Sequence, residues 1–167
     1  LSLELLDEAV KAKGGKARDY AGNGDVWNRY RAVSDGTASS SPIDVAVLCK
    51  ALSENMPSDA VYIDETILHR PQILRCIERE NPQSYLRPAG GLGQGLGTAL
   101  GVKLATPERP VVALMGDGSL LYNPITQALG VARESDLPIM IVVFNNTSYA
   151  AMKRLHLSFY PEGDAAK

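Results

Sequence analysis

Residues 111–152 read VVALMGDGSLLYNPITQALGVARESDLPIMIVVFNNTSYAAM, and the reading of this stretch decides the fold. It opens with an apolar run, 111–115, and turns at Gly116-Asp117-Gly118-Ser119. A helical pattern over 120–135 follows, with Pro124 near its first turn and Ile125, Leu129 and Ala132 as its inner face. A second apolar run, 139–144, then ends in Asn145-Asn146. Two short apolar runs one helix apart predict a βαβ unit with parallel strands. Both polar clusters then fall at the carboxyl ends of their strands, where open α/β sheets bind ligands.

The chemistry of the clusters agrees with that placement. Asp117 offers hard carboxylate oxygens, and Asn146 offers an amide oxygen. Such oxygens suit Mg²⁺, which takes about one or two protein ligands beside phosphate oxygens and water. Gly116 and Gly118 let the backbone approach a phosphate, and Ser119 adds a hydroxyl. The alternative is an ordinary strand-to-helix turn in which Asp117 caps the helix, and a lone GDGS leaves both readings open. The paired asparagines at the next strand end favour the metal, because buried amides need partners.

Upstream lies AGGLGQGLGTALGVKLATPERPVVALMGDG, residues 89–118. Its glycine run, 90–97, imitates a dinucleotide-binding fingerprint, but that motif needs a strand before it and an acidic residue about 20 positions on. Residues 85–89, with Arg87 and Pro88, make a poor strand, and Asp117 is better placed in GDG. Gly97 and Gly101 read instead as positions where a helix packs closely on its neighbour.

GDG, 26 intervening residues and NN together resemble the fingerprint of thiamine diphosphate (ThDP) enzymes. Within that superfamily the chain is similar to the 2-keto acid decarboxylase and acetolactate synthase group, and most to benzoylformate decarboxylases. The resemblance covers roughly residues 42–160. It implies ThDP and Mg²⁺ as cofactors and decarboxylation of a 2-keto acid, with an aldehyde or a carboligation product. It implies Asp117, Asn146 and the main-chain carbonyl of Ser148 as metal ligands. Gly118, Ser119, Tyr149 and Ala150 would hold the diphosphate, and Thr66 lies where the family has a further diphosphate-holding loop, though the spacing to Gly90 differs by one residue. Gly90 would accept from the aminopyrimidine amine, and Leu92 would be the bulky residue that imposes the cofactor's V shape. The activating glutamate is expected outside this chain, on the N-terminal pyrimidine-binding domain of a neighbouring subunit in a homodimer or homotetramer. The chain alone is therefore expected to be inactive, either as a fragment of such an enzyme or as a ThDP-binding module without catalysis.

The fold expected is α/β: a doubly wound parallel sheet with helices on both faces, incomplete at its carboxyl end. Helical patterns at 42–56 and 71–80 flank a short strand at 60–63, and the β/α alternation requires right-handed crossovers. Asp64, Glu65, Thr66 and His69 follow that strand, where a solvated loop or a helix cap is as good a reading as a site. His69 and His156 read as surface or loop residues more than as proton carriers. Residues 1–41 are expected to be a connector: a helix over 1–13 with Leu3, Leu6 and Val10 on one face, a stop at Gly14-Gly15, then a linker with Trp27 and Tyr30. The composition break at 35–41, DGTASSS, marks the boundary to a domain over 42–167.

Composition is that of an ordinary globular domain: 45% hydrophobic and 22% charged over 167 residues. A net charge of −2 gives no electrostatic case for nucleic acid or an anionic membrane. No apolar run approaches the roughly 20 residues that span a bilayer. Cys49 and Cys76 lack metal or redox spacing, which reads as two reduced thiols and a cytoplasmic setting.

Overall fold

The two longest apolar runs become adjacent parallel strands, the second of them at the edge of the sheet. The computed structural model describes residues 42–164 together with Glu8, Lys11 and Ala12. Those three are exposed and helical. The rest of the expected 1–13 helix, its Gly14-Gly15 stop, Trp27, Tyr30 and the 35–41 boundary lie outside the described residues.

In chain order the elements are α1 (Val45–Asn55), β1 (Val61–Glu65), α2 (Arg70–Cys76), β2 (Tyr85–Leu86), α3 (Gly95–Ala105), β3 (Val111–Gly116), α4 (Asp117–Leu121), α5 (Ile125–Glu134), β4 (Met140–Phe144) and α6 (Ala150–Phe159). The strands pair in the order β2-β1-β3-β4, all parallel. β1 and β3 are buried along almost their whole length, as expected of strands covered on both faces. Alternation along them sorts the core into two halves. Val61, Ile63, Val111, Ala113 and Met115 pack with Leu96, Ala99 and Leu100 of α3 and Ala128 of α5. Tyr62, Val112 and Leu114 pack on the other face with Cys49 and Leu52 of α1 and Ile73 of α2. The sheet is therefore doubly wound, as its sequence predicts, with the chain reversing direction across it between β1 and β3. That is the switch point at which such sheets open a ligand crevice.

Several local expectations change. The first helix begins at Val45, not beside Pro42, because Asp44 caps it by accepting from Ala46 N at 2.7 Å. The second helix stops at Cys76, short of the expected 80. Tyr85 and Leu86, read as a poor strand, do pair with Tyr62 and Ile63, and Arg87 and Pro88 confine that strand to two residues.

The expected 120–135 helix is two helices, broken at residues 122–124. The break follows from Pro124: proline disfavours helical backbone in the residue before it. Its core residue is Ala128, while Leu129 faces solvent.

Gly97 and Gly101 do not mediate close packing, since both are exposed with open space where a Cβ would stand. The tight glycines lie just upstream. A Cβ at Gly93, where φ is +94°, would stand 2.5 Å from the Tyr122 carbonyl oxygen. A Cβ at Gly95 would stand 2.7 Å from Glu65 Oε2.

Both cysteines are free thiols. Among the described residues, no helix is long and apolar enough to cross a membrane.

Candidate functional site

A cleft of about 130 Å³ opens at the carboxyl ends of β1, β3 and β4. It follows from the register. Gly116 pairs with Phe144 at the ends of β3 and β4, so the chain leaves both strands at one level. Thr66 and His69 from beyond β1, Asp117, Gly118 and Ser119 from beyond β3, and Asn146, Ser148 and Tyr149 from beyond β4 all line it. Leu92 forms part of the same wall.

The Gly116–Ser119 turn is built for access. Asp117 is the first residue of α4, the N-cap is Gly116, and that cap makes no side-chain hydrogen bond. The capping alternative for Asp117 therefore fails here, and its half-buried carboxylate borders the cleft. Ser119 is buried, yet it also borders the cleft. Tyr149 covers Gly118, its ring 3.4 Å from where a Cβ there would stand.

The asparagine cluster is a tight turn. Asn145 Oδ1 accepts from Thr147 N at 2.8 Å, and Asn146 Oδ1 accepts from Ser148 N at 3.0 Å. Thr147 sits at φ +53°, a left-handed backbone that a β-branched residue rarely adopts. The Ser148 hydroxyl also donates to Asn146 Oδ1, at 3.4 Å, so the amide oxygen serves the turn twice.

Two expected site residues lie apart from this cleft. Ala150 opens α6 and lines an outer groove with Lys153, Arg154 and Leu157. Gly90, at φ +108°, lines a neighbouring cleft of about 240 Å³ with Arg87, Pro88 and Gly91. The two clefts share Thr66, Ile67, Leu92 and Met152. Leu92, 41% exposed, stands on the wall between them.

The Asp64-Glu65-Thr66 segment is not a solvated loop: all three residues are buried and held by hydrogen bonds. Asp64 Oδ1 accepts from Thr66 N at 2.8 Å and from Thr66 Oγ1 at 2.7 Å, and its Oδ2 accepts from Tyr85 Oη at 2.6 Å. Burial, reinforced by the bond to Asp64, pushes the Tyr85 hydroxyl up to about 12. Because the Thr66 hydroxyl proton is committed to Asp64, Thr66 walls the cleft without donating into it. Glu65 accepts from the backbone N–H groups of Gly93, Gln94 and Gly95. His69 lies in the loop after β1, where it is half-buried, borders the cleft and stacks on Phe144 with ring centroids 5.5 Å apart. His156, by contrast, lies exposed on α6 against Tyr160.

Sequence reasoning missed Asn123. It is buried, accepts from Leu96 N, and donates to both Glu65 Oε2 and the Ser119 carbonyl. An Asn-Pro step reads locally as a turn, so only the tertiary structure reveals these bonds.

Comparison with known proteins places this geometry. The family described as "Thiamine pyrophosphate enzyme, C-terminal TPP binding domain" matches residues 69–166, more than half of the chain. The chain belongs to that family. It is 38% identical over 98 residues to a benzoylformate decarboxylase of Pseudomonas aeruginosa, covering 58% of this chain and 18% of that protein. It is 30% identical over 118 residues to the acetolactate synthase isozyme 2 large subunit of Escherichia coli, covering 70% of this chain and 21% of the relative. A ThDP-dependent 4-hydroxybenzoylformate decarboxylase structure from Rhodococcus jostii superposes with a TM-score of 0.67 at 32% identity, over 72% of this chain and 23% of that one. The chain thus spans about a fifth of the length of these relatives.

Proposed function

We propose that this chain supplies the diphosphate- and metal-binding half of a ThDP- and Mg²⁺-dependent enzyme that decarboxylates a 2-keto acid of the benzoylformate type. The observation that carries this reading is the pairing of Asp117, which does not cap its helix, with Asn146 across one cleft. Among the described residues, no three His, Cys, Asp or Glu side chains gather as a metal site. An oxygen set of one carboxylate, one amide and one main-chain carbonyl is of another kind and suits Mg²⁺ with phosphate oxygens.

In this reading Asp117, Asn146 and the Ser148 carbonyl hold the metal. Gly118, Ser119 and Tyr149, with the N–H groups that begin α6 at Ala150, receive the diphosphate. Leu92 supports the middle of the cofactor, and Gly90 receives its aminopyrimidine in the neighbouring cleft. Thr66 shapes the wall between. Bound ThDP supplies a carbon nucleophile and an electron sink, while the protein binds, orients and shields it. Activation of the aminopyrimidine falls to a glutamate on the pyrimidine-binding domain of a neighbouring subunit, in a homodimer or homotetramer of the cytoplasm.

A second reading, carboligation of the acetolactate synthase kind, is favoured by the likeness to the Escherichia coli large subunit over a longer span. The two separate in one assay with saturating ThDP and Mg²⁺. CO₂ and an aldehyde from benzoylformate support the decarboxylase; acetolactate from pyruvate supports the carboligase. Neither product from the native polypeptide would leave a ThDP-binding module.

A further inference from the structure

Glu65 has no role assigned above, yet it borders the Gly90 cleft and joins the site's pieces. It ends β1, is 6% exposed, and pairs in register with Met115, the residue before Gly116 and Asp117. Its Oε1 accepts from Gly93 N at 2.6 Å and Gln94 N at 2.9 Å. Its Oε2 accepts from Gly95 N at 3.1 Å and Asn123 Nδ2 at 2.8 Å. Asn123 ties the same segment to the opposite turn, since its Oδ1 accepts from Leu96 N at 3.0 Å and its Nδ2 donates to Ser119 O at 2.9 Å.

A helix start does not require such an arrangement. An N-cap Ser, Thr, Asp or Asn serves locally, without a buried charge. Here the N-cap residue of α3 is Gln94, which makes no side-chain cap bond. A carboxylate 28 to 30 residues away does the work. The three N–H groups it binds follow directly after Leu92. Gly93, in the left-handed region, has no room for a Cβ beside Tyr122 O, so only glycine lets the backbone follow this path. The height of Leu92 above the Gly116–Ser119 turn is thus set by Glu65 and Asn123.

We propose that Glu65, bridged through Asn123, is a positioning residue: it registers the glycine-rich segment 90–95 against the Gly116–Ser119 turn, so that Leu92 holds bound ThDP in its reactive conformation. This rests on the cofactor reading above. Both Glu65 carboxylate oxygens are taken up by donors of the protein itself, so its removal disturbs orientation more than binding.

The test compares the native polypeptide with its Glu65→Gln variant. Glutamine keeps the shape but sets an N–H group against donors that need an acceptor. Turnover is expected to fall roughly tenfold to a hundredfold, as about 1 Å of misplacement does. ThDP affinity at saturating Mg²⁺ should change far less. Without cofactor, hydrogen exchange should show lost protection at the amides of residues 93–95, with β3 still protected. Lost protection with unchanged turnover would overturn the proposal, and so would equal losses of turnover and ThDP affinity in a folded variant. Should β3 protection collapse, Asn123→Ala decides the matter: lower turnover at held affinity supports the role, and unchanged turnover overturns it. If the wild type binds no ThDP, the cofactor reading fails and this proposal falls with it. Wild-type binding with normal Glu65→Gln turnover overturns the positioning role alone.

Discussion

Gly116 and Phe144 stand opposite one another at the ends of two neighbouring parallel strands. Asp117 and Asn146, which follow them, therefore line one cleft from adjacent strand ends. Neither motif makes the site alone: a GDGS turn is a helix start, and an Asn-Asn pair is a turn. Register brings residues of both to one cleft.

From that register comes a graded prediction. Asp117→Ala should abolish the Mg²⁺ dependence of ThDP binding, because it removes the one carboxylate in the set. Asn146→Ala should weaken the dependence without abolishing it, since a neutral amide oxygen contributes less to a divalent cation. Titrating Mg²⁺ at fixed ThDP checks both. Equal effects of the two changes would contradict the assigned roles.

Leu92 gives a prediction of a different kind. It is partly exposed on the wall between two clefts, so its truncation leaves little cavity behind. Leu92→Ala should leave the melting temperature nearly unchanged and lower turnover more than cofactor affinity. Steady-state kinetics at varied ThDP measures the split; unchanged turnover would make Leu92 an ordinary surface residue.

The glycines offer a paired test of stability. Gly97→Ala, in a helix interior with open space around it, should stabilise by about 0.5–1 kcal/mol. Gly93→Ala should destabilise by at least about 1 kcal/mol, through a strained backbone and contact with Tyr122 O. Urea midpoints of the two variants should move in opposite directions.

Alkaline pH should weaken the fold through a buried thiol and a half-buried phenol. Burial, with Cys76 adding to it, raises the Cys49 thiol from 9.0 to about 12, and burial with the Asp64 bond raises Tyr85 from 10.0 to about 12. Each is raised in the folded state, so its contribution is complete below the unfolded value and is lost as pH rises toward the folded one. Stability should decline from about pH 9 toward pH 12. Tyr85→Phe should flatten the part of that decline above pH 10. Denaturant midpoints across this range check the sign; a rise in stability would contradict it.

The strands most legible in the sequence are those buried on both faces, because a continuous apolar run has few other readings. β1 and β3 are of this kind, while β4, partly exposed at the sheet edge, was legible from its apolar run alone. β2 escaped notice since two residues held by register with β1 leave no periodicity of their own. The split after α4 was readable from Asn123-Pro124, but a long helical pattern overrode it. The roles of the glycines were misjudged for a physical reason. Periodicity cannot say which face of α3 meets the sheet, so Gly97 and Gly101 took the place of Gly93 and Gly95. Glu65 and Asn123, 58 residues apart, are joined by one hydrogen bond that no local pattern announces.

The central claim is that Asp117 and Asn146 make this cleft a metal-dependent ThDP site. Calorimetric titration of the native polypeptide with ThDP, with Mg²⁺ and again with excess chelator, tests it most directly. The account predicts binding that requires the divalent metal and disappears in chelator, with no binding of NAD. Equal ThDP affinity in chelator, or preference for NAD, would contradict it.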